Sequence, residues 1–320
     1  MELFGGLALF LFGMDRMSEA LQQAAGERLR RVLAVLTRTP LTGALAGMAV
    51  TAVLQSSSAT TVMVIGFVSA GLLELPQAVA VIFGANVGTT VTAQLLAFRV
   101  EDVLGLVLFE GFFLHAIART PRGRQIGTAL FSFGLLFAGM EQIQSVVEPL
   151  ALRPEFEAWM AQVREKPLWG LLLGLGMTLV VQSSSAAIGV LQGVARQAGP
   201  DGVHSLIGLA GAVPVLLGDN IGTTITAILA AVGSTRDAKR AAAAHCCFNL
   251  SGSVVCLLAL PWFLRLVEIL PPKGPELEII ARQIANAHTL FNALCTMVWL
   301  PLVPFMVRLV DKLVPEKRTK

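Results

Sequence analysis

Long apolar stretches without any charged side chain dominate the pattern of this chain. Six of them contain no Asp, Glu, Lys or Arg: residues 41–73, 75–98, 125–140, 167–195, 246–264 and 289–307. Several reach the length of about 20 residues that an α-helix needs to cross the hydrocarbon core of a bilayer. The pattern therefore predicts an all-α polytopic membrane protein.

Composition and charge support this fold class. Of the 320 residues, 55% are hydrophobic and only 14% are charged, whereas about one quarter of a typical soluble domain is charged. The net charge of +3 comes from short basic loops beside the apolar stretches, which is typical of membrane orientation rather than of nucleic-acid binding. The four cysteines show no CxxC spacing, so we predict neither a disulfide nor a metal for them. The expected partner is the lipid bilayer.

The chain contains an internal duplication. The segment Val53–Ala59 (VLQSSSA) returns as Val180–Ala186 (VVQSSSA), and Gly84–Ala93 (GANVGTTVTA) returns as Gly218–Ala227 (GDNIGTTITA). Two shorter landmarks recur in the same order, which makes chance similarity a poor explanation. The sequence therefore predicts two transmembrane repeats of inverted topology, with residues 1–124 forming the first. Residues 125–320 would form the second repeat, a C-terminal transmembrane helix and a short basic tail.

The Gln-Ser-Ser-Ser tracts interrupt apolar stretches that are too long for one span. As a straight helix, residues 41–73 would extend about 50 Å, well beyond the bilayer core. We therefore expect a re-entrant hairpin with arms Leu41–Leu54 and Val62–Leu75 and a polar tip between them. The second copy predicts the arms Leu168–Val181 and Ala187–Ala195.

The Asn-x-Gly-Thr-Thr segments predict a different element. Apolar residues precede and follow the first of them within the length of one span. Gly84 and Gly88 weaken a helix at its middle, while Asn86 and Thr89 are suited to cap a helix that restarts there. We therefore expect a transmembrane helix that is broken at its middle in each repeat.

Two polar tips and two broken helices form the arrangement expected of a secondary transporter with a site at mid-membrane. Hydroxyl, amide and freed carbonyl oxygens suit an alkali cation, and helix N-termini suit an anion. No Arg or Lys lies within either motif. An anion bound there would be held by hydroxyls, backbone amides and co-bound cations.

Other interpretations of the same residues weigh less. Small residues such as Gly43, Gly47, Gly170 and Gly174 are best explained by close helix packing, but a polar tract that recurs in register is not. A serine nucleophile is disfavoured because no Gly-x-Ser-x-Gly elbow is present, so we do not expect an enzyme. An ion channel stays open as an alternative.

Two further features carry two interpretations each. His245 with Asn249, and His288 with Asn292, share a His-x-x-Phe-Asn spacing that places both side chains on one helical face; they either face the transport site or bond a neighbouring helix. Asp219 stands where the first repeat has Ala85. It either caps a half-helix that begins at Ile221 or supports a bound sodium ion.

With these motifs, the chain resembles the type II sodium–phosphate cotransporter family, in its short bacterial form without a PhoU-like domain. The resemblance implies inverted repeats, a bacterial plasma (inner) membrane location, inorganic phosphate as substrate, Na+ as the co-transported ion and no organic cofactor. It assigns phosphate binding to the two serine tracts: Ser56, Ser57, Ser58, Ser183, Ser184 and Ser185. Together with Asp219, the sodium candidates are Gln55, Gln182, Asn86, Thr89, Thr90, Asn220, Thr223 and Thr224.

One departure from the family pattern limits the comparison. The His-x-x-Phe-Asn element is missing from the first repeat, which carries Leu108–Phe112 in the comparable region. The sequence-based hypothesis is therefore a sodium-coupled symporter of inorganic phosphate, with a carrier of another small oxyanion or carboxylate, or an ion channel, as alternatives.

Overall fold

The computed structural model describes residues 2–25, 39–98, 103–151 and 153–315, and helices joined by loops make up these ranges. Its only extended pairing there is an isolated bridge between Ala198 and Ser205. In chain order the helices are α1 (Glu2–Ala25), α2 (Pro40–Leu54), α3 (Ser57–Ser69), α4 (Leu75–Leu96), α5 (Leu104–Ile117), α6 (Pro121–Ala151), α7 (Pro154–Glu165), α8 (Pro167–Val181), α9 (Ser184–Ala195), α10 (Gly208–Gly222), α11 (Thr224–Ala231), α12 (Arg236–Leu258), α13 (Leu260–Ile269), α14 (Glu276–Trp299) and α15 (Val303–Leu313).

Four segments in the described ranges are long and apolar enough to cross a membrane: Leu75–Leu96, Pro121–Leu150, Gly208–Ala231 and Arg236–Leu258. A fifth is formed if α14 and α15, which meet at an angle of 88°, are counted as one bent span. The helical architecture agrees with the predicted fold class of a polytopic membrane protein.

Glycines bring two pairs of helices into backbone contact. On α4, a Cβ added to Gly84 would lie 1.8 Å from the carbonyl oxygen of Ala44 on α2. On α8, a Cβ added to Gly174 would lie 1.8 Å from the carbonyl oxygen of Val215 on α10. Only a residue without a side chain permits this approach. On α2, a Cβ added to Gly47 would lie 2.0 Å from the Val81 carbonyl oxygen, so the packing interpretation of the α2 and α8 glycines is confirmed.

The two Gln-Ser-Ser-Ser tracts each separate a pair of short helices. The break between α2 and α3 consists of Gln55 and Ser56, and that between α8 and α9 consists of Gln182 and Ser183. Helix–turn–helix arms therefore form close to the predicted bounds, although α3 begins at Ser57, five residues before the expected Val62. That these hairpins re-enter the membrane, and that the two repeats are inverted, remain predictions.

The prediction of a broken helix in the first repeat is wrong. Helix α4 runs without interruption from Leu75 to Leu96. Gly84 serves the contact with α2 instead of a break. The side chain of Asn86 donates to the carbonyl oxygen of Ile82 one turn earlier, at 2.8 Å, so the polar residue is accommodated inside the helix and does not cap a new one.

In the second repeat the interruption is limited to one residue. Helix α10 ends at Gly222 and α11 begins at Thr224, while Thr223 between them keeps helical dihedral angles (φ −55°, ψ −27°). The two helices together form the single 24-residue candidate span Gly208–Ala231. A wide unwound segment with freed carbonyl groups is therefore absent from both described Asn-x-Gly-Thr-Thr motifs.

Candidate functional site

The two hairpin tips have the same backbone conformation. Gln55 (φ 55°, ψ 24°) and Gln182 (φ 55°, ψ 22°) both end a helix in the left-handed region, which residues other than glycine rarely occupy. The serine that follows each of them caps the next helix: Ser56 Oγ accepts from the Ala59 amide at 3.1 Å, and Ser183 Oγ accepts from the Ala186 amide at 3.3 Å. The duplication thus extends to local geometry.

The first tip is tied to helix α4. The side-chain oxygen of Gln55 accepts a hydrogen bond from Thr92 Oγ1 at 2.9 Å, and its amide nitrogen donates to the Ala52 carbonyl. Gln55 is 6% exposed, whereas Gln182 at the second tip is exposed to the surroundings. The two glutamines therefore differ in environment despite their equal backbone geometry.

A hydroxyl contact joins the two halves of the chain. Ser58, in the first turn of α3, accepts a hydrogen bond from Thr226 Oγ1 of α11 at 3.2 Å. Ser57, Ser184 and Ser185 are buried. The structure thus brings the first serine tract next to the helix that follows the second Asn-x-Gly-Thr-Thr motif.

Most motif hydroxyls and amides bond back to their own helix. Asn220 Nδ2 donates to the Leu216 carbonyl at 2.9 Å, as Asn86 does in α4. Thr90, Thr223 and Thr224 likewise donate to carbonyl oxygens three or four residues earlier. The buried Thr89 hydroxyl has no hydrogen-bond partner among the described residues. Because the amide nitrogens are used within the helix, the Asn86 and Asn220 oxygens point toward other elements.

Those two oxygens meet the His-x-x-Phe-Asn elements. Asn86 Oδ1 accepts from His245 Nε2 at 3.2 Å and lies 3.5 Å from Asn249 Nδ2. Asn220 Oδ1 lies 3.4 Å from Asn292 Nδ2. The His-x-x-Phe-Asn element of α12 therefore contacts the first Asn-x-Gly-Thr-Thr motif, and that of α14 contacts the second. This arrangement accounts for the departure seen in the sequence, since the first motif obtains its element from α12.

Asp219 does not cap a half-helix, so that interpretation is wrong. The residue lies inside α10, is 1% exposed, and accepts a hydrogen bond from Thr178 Oγ1 of α8 on one carboxylate oxygen. The other oxygen has no hydrogen-bond partner among the described residues. A cap requires a position before the first turn of a helix, whereas α10 and α11 are nearly continuous here.

Sequence reasoning missed several threonines of this region. Thr178 binds Asp219, and Thr51 at the matching position of α2 donates to Thr60 at 2.8 Å. Thr92 and Thr226 bind Gln55 and Ser58. The sequence does mark Thr51 and Thr178 as equivalent, because each of them lies four residues before the glutamine of its Gln-Ser-Ser-Ser tract. In the described ranges, no group of three or more His, Cys, Asp and Glu side chains is arranged to hold a metal, and the four cysteines are unpaired.

Comparison with known proteins decides the family. The profile of the Na+/Pi-cotransporter family matches residues 9–145 and again residues 146–297. The chain belongs to this family. Members of it are transporters, and the matched segments together cover most of the chain, so the protein is an integral, multi-pass membrane protein.

Individual relatives agree with this assignment. The chain is similar to the uncharacterized protein YqeW of Bacillus subtilis, with 34% identity over 83% of this chain and 84% of YqeW. It is 28% identical to the putative inorganic phosphate export protein YjbB of Escherichia coli over 80% of this chain but 46% of YjbB. The sodium-dependent phosphate transport protein 2A of Rattus norvegicus shares 38% identity over 30% of this chain and 15% of its own length. No solved structure matches the chain.

Proposed function

We propose that this protein is a sodium-coupled symporter of inorganic phosphate in the bacterial inner membrane. Family membership and the printed names of the phosphate-transporting relatives support phosphate as the substrate. The name of the rat relative, a sodium-dependent phosphate transport protein, supports sodium as the coupling ion.

The observation that carries the proposal is the hydroxyl contact between Ser58 and Thr226. It brings the N-terminus of α3 beside the second motif. The first turns of α3 and α9 each begin with two serines and an alanine, so they offer backbone amides and serine hydroxyls that can donate hydrogen bonds. A helix N-terminus of this kind binds phosphate groups well. Because the two tracts recur in register and share the same tip geometry, we assign both to one phosphate site.

Charge balance explains why sodium is needed. The tracts 55–58 and 182–185 and the motifs 84–92 and 218–226 contain no Arg or Lys. A phosphate dianion in a dehydrated site is costly unless positive charge accompanies it. Sodium ions bound by the nearby amide and hydroxyl oxygens supply that charge. The coupling then follows from electrostatics, because phosphate binds well only when the cations are present.

Radiolabelled phosphate uptake into liposomes that contain the purified full chain tests the proposal. An inward sodium gradient should drive uptake, while potassium or proton gradients of equal size should not. Equal rates with all three gradients would rule out sodium coupling. Competition by citrate without competition by arsenate would favour the carboxylate carrier instead.

Two serine variants test the shared site. Ser57→Ala and Ser184→Ala should each weaken apparent phosphate affinity by about 1 to 3 kcal/mol, and their effects should not add because both contact one ligand. Ser145→Ala is the matched control, since Ser145 lies on α6 and donates to its own helix at Gln142. Strictly additive losses would place the two tracts in separate sites.

Phosphate export is the second candidate function, and the name of YjbB favours it. The same liposomes decide the question when they are loaded with labelled phosphate. Efflux that proceeds without sodium on either side, together with negligible sodium-driven uptake, would support an exporter and contradict the symporter.

A further inference from the structure

An apolar groove of about 350 Å³ lies between α12, α13 and α14. Val255 of α12, Trp262 and Leu266 of α13, and Leu294 and Val298 of α14 line it. Its volume falls within the range of about 300 to 1,000 Å³ that is usual for small-molecule sites. None of the residues assigned to phosphate or sodium lines this groove, so it is separate from the candidate transport site.

The polar side chains at the Trp299 end of the groove are already paired. Trp299 Nε1 donates to Ser251 Oγ at 3.1 Å, and the Ser251 hydroxyl donates to the Phe248 carbonyl at 3.2 Å. The thiols of Cys256 and Cys295 also line the groove, and a thiol forms only weak hydrogen bonds. A polar ligand would therefore lose its bonds to water without replacement here, whereas a hydrocarbon chain would lose none.

The groove opens on a face of the protein that hydrocarbon covers. Val255 is 65% exposed and Val298 is 59% exposed. Helix α12 is long and apolar enough to cross a membrane, and the chain belongs to a family of membrane transporters. Exposed valines on such a helix lie against acyl chains, because the bilayer core contains no water. The bilayer therefore supplies the occupant of the groove.

A cation lies at the α13 end of the groove. The guanidinium carbon of Arg265 is 5.4 Å from the centre of the Trp262 ring. Arg265 forms no ion pair with a described residue, including Glu268 three positions further along α13. The indole of Trp262 is 70% exposed and likewise donates to no described residue. Two hydrogen-bond donors at this end are thus free for a ligand.

The position of Arg265 in the chain matches the level of lipid headgroups. Residues 241–264 contain no Asp, Glu, Lys or Arg, and charged residues return with Arg265, Glu268 and Lys273. As helix, the charge-free stretch covers about 36 Å, slightly more than the hydrocarbon core of about 30 Å. Tryptophan at the end of an apolar stretch is typical of the membrane interface. We therefore expect Arg265 beside phospholipid phosphates.

Charge complementarity selects the class of lipid. A guanidinium group binds phosphate through two parallel N–H donors, and it can do so while it stacks on an aromatic ring. A cation without a carboxylate partner attracts lipids of net negative charge more strongly than zwitterionic ones.

We propose that this groove binds one acyl chain of an anionic phospholipid, whose phosphate group contacts Arg265 and the Trp262 indole. The inference goes beyond the proposed function, because it requires only that α12 lies in a membrane. It holds whichever ion drives transport and whichever way phosphate moves.

Quenching of tryptophan fluorescence by lipids with brominated acyl chains tests the site. Trp159 and Trp169 are exposed and lie outside the groove, so Trp159→Phe/Trp169→Phe leaves Trp262 and Trp299 as the reporters. This full-length parent protein, purified in detergent, is titrated with brominated phosphatidylglycerol or brominated phosphatidylcholine. Half-maximal quenching should need about fivefold less phosphatidylglycerol, which is the effect of one cation on an anionic lipid.

Charge variants test the headgroup contact. Arg265→Gln should abolish the preference for phosphatidylglycerol, and Arg265→Lys should retain it because the positive charge stays in place. Arg308→Gln is the matched control, since Arg308 is exposed on α15 and donates to the Pro304 carbonyl of its own helix. The control should keep the preference of the parent protein.

A pair of neighbouring valines tests whether the acyl chain occupies the groove. Val255→Phe fills the groove from its open side and should raise the concentration for half-maximal quenching several-fold with both lipids. Val254→Phe is the matched control, because Val254 is also exposed on α12 but does not line the groove. Neither substitution alters the buried core, so both proteins should fold.

Three results would overturn the proposal. Equal midpoints for the two lipids in the parent protein, or a preference that survives Arg265→Gln, would remove the headgroup contact. Equal midpoints for the Val255→Phe and Val254→Phe proteins would show that the acyl chain binds elsewhere. Absence of quenching by either lipid, together with a dimer in size-exclusion chromatography, would place a second copy of the chain over the groove.

Discussion

Replacement of Gly174 by alanine should loosen the contact between α8 and α10. The added Cβ would lie 1.8 Å from the Val215 carbonyl oxygen and 2.9 Å from the Asp219 amide nitrogen, whereas real Cβ atoms essentially never approach closer than 3.0 Å. The helices must therefore separate by more than 1 Å at this point. Because the obstacle is backbone, no side-chain rotation relieves it. We expect a loss of about 3 kcal/mol, at the upper end of the range for overpacked interiors.

Gly176 provides the matched control on the same helix. A Cβ added there meets no atom within 4 Å. Alanine favours an α-helix over glycine, so Gly176→Ala should stabilise the protein by about 0.5 to 1 kcal/mol. Thermal unfolding of the purified variants, followed by the loss of the monodisperse size-exclusion peak, should thus shift in opposite directions for two glycines two residues apart. Equal unfolding temperatures for the two variants would refute the backbone contact between α8 and α10.

Two further predictions concern the second half of the chain. In the exposed loop after α9, hydrogen bonding to Asp201 raises the pKa of His204 above its ordinary value of 6.5. The stabilisation from this pair is therefore fully present below pH 6.5 and is lost as the pH rises through the raised pKa. Asp201→Asn should move the NMR titration midpoint of His204 to lower pH, and an unchanged midpoint would contradict the pair. On α8, Thr178→Val should cost about 1 to 3 kcal/mol because it leaves a buried carboxyl group without its donor. The double variant Thr178→Val/Asp219→Ala should unfold at a higher temperature than Thr178→Val alone, and a lower one would contradict this reasoning.

The hairpin tips and the glycine contacts were predictable because each depends on neighbouring residues in the sequence. A polar Gln-Ser-Ser-Ser tract inside an apolar stretch favours the end of one helix, and its serines are strong N-caps for the next one. Gly170 and Gly174 are spaced by one helical turn, which places both on the face toward α10. The ends of α2 and α8 followed from these local preferences, whereas α3 and α9 begin five and three residues before the expected Val62 and Ala187.

The prediction of broken helices was wrong because it rested on local helix propensity, whereas packing against other helices determines the structure here. Gly84 is unfavourable in an isolated helix, yet it lies inside the continuous helix α4, where it allows the backbone contact with Ala44. Asn86 satisfies its own amide inside α4. Tertiary packing therefore reversed a preference that the sequence alone supports.

The partners of the motif asparagines lay beyond sequence reasoning for another reason. The spacing of His245 and Asn249 shows that they share a face, but not which helix that face meets. The contact with Asn86 joins residues 163 positions apart. Such a pairing depends on how α12 packs against α4, and the periodicity of the sequence does not show which helices pack together.

Comparison of the two halves shows that a threonine near each tip uses a different partner. In the first half, Thr51 of α2 donates to Thr60 of α3 at 2.8 Å, and the residue of α4 that corresponds to Asp219 is Ala85. In the second half, Ala187 occupies the place of Thr60, and Thr178 donates to Asp219. One threonine is thus satisfied by a hydroxyl and the other by a carboxyl group.

A carboxyl group is more than Thr178 requires. Its hydroxyl lies 3.0 Å from the Gly174 carbonyl, which can accept the proton in the absence of Asp219. Burial of an ionisable group in a membrane helix costs stability, and the second oxygen of Asp219 bonds no described residue. The first half of the chain folds with Ala85 at this position. Neither packing nor hydrogen bonding demands the carboxyl group, so Asp219 stays a proposed sodium ligand. If the proposal holds, Asp219→Asn should weaken the sodium dependence of phosphate uptake, and an unchanged sodium dependence in a folded variant would contradict it.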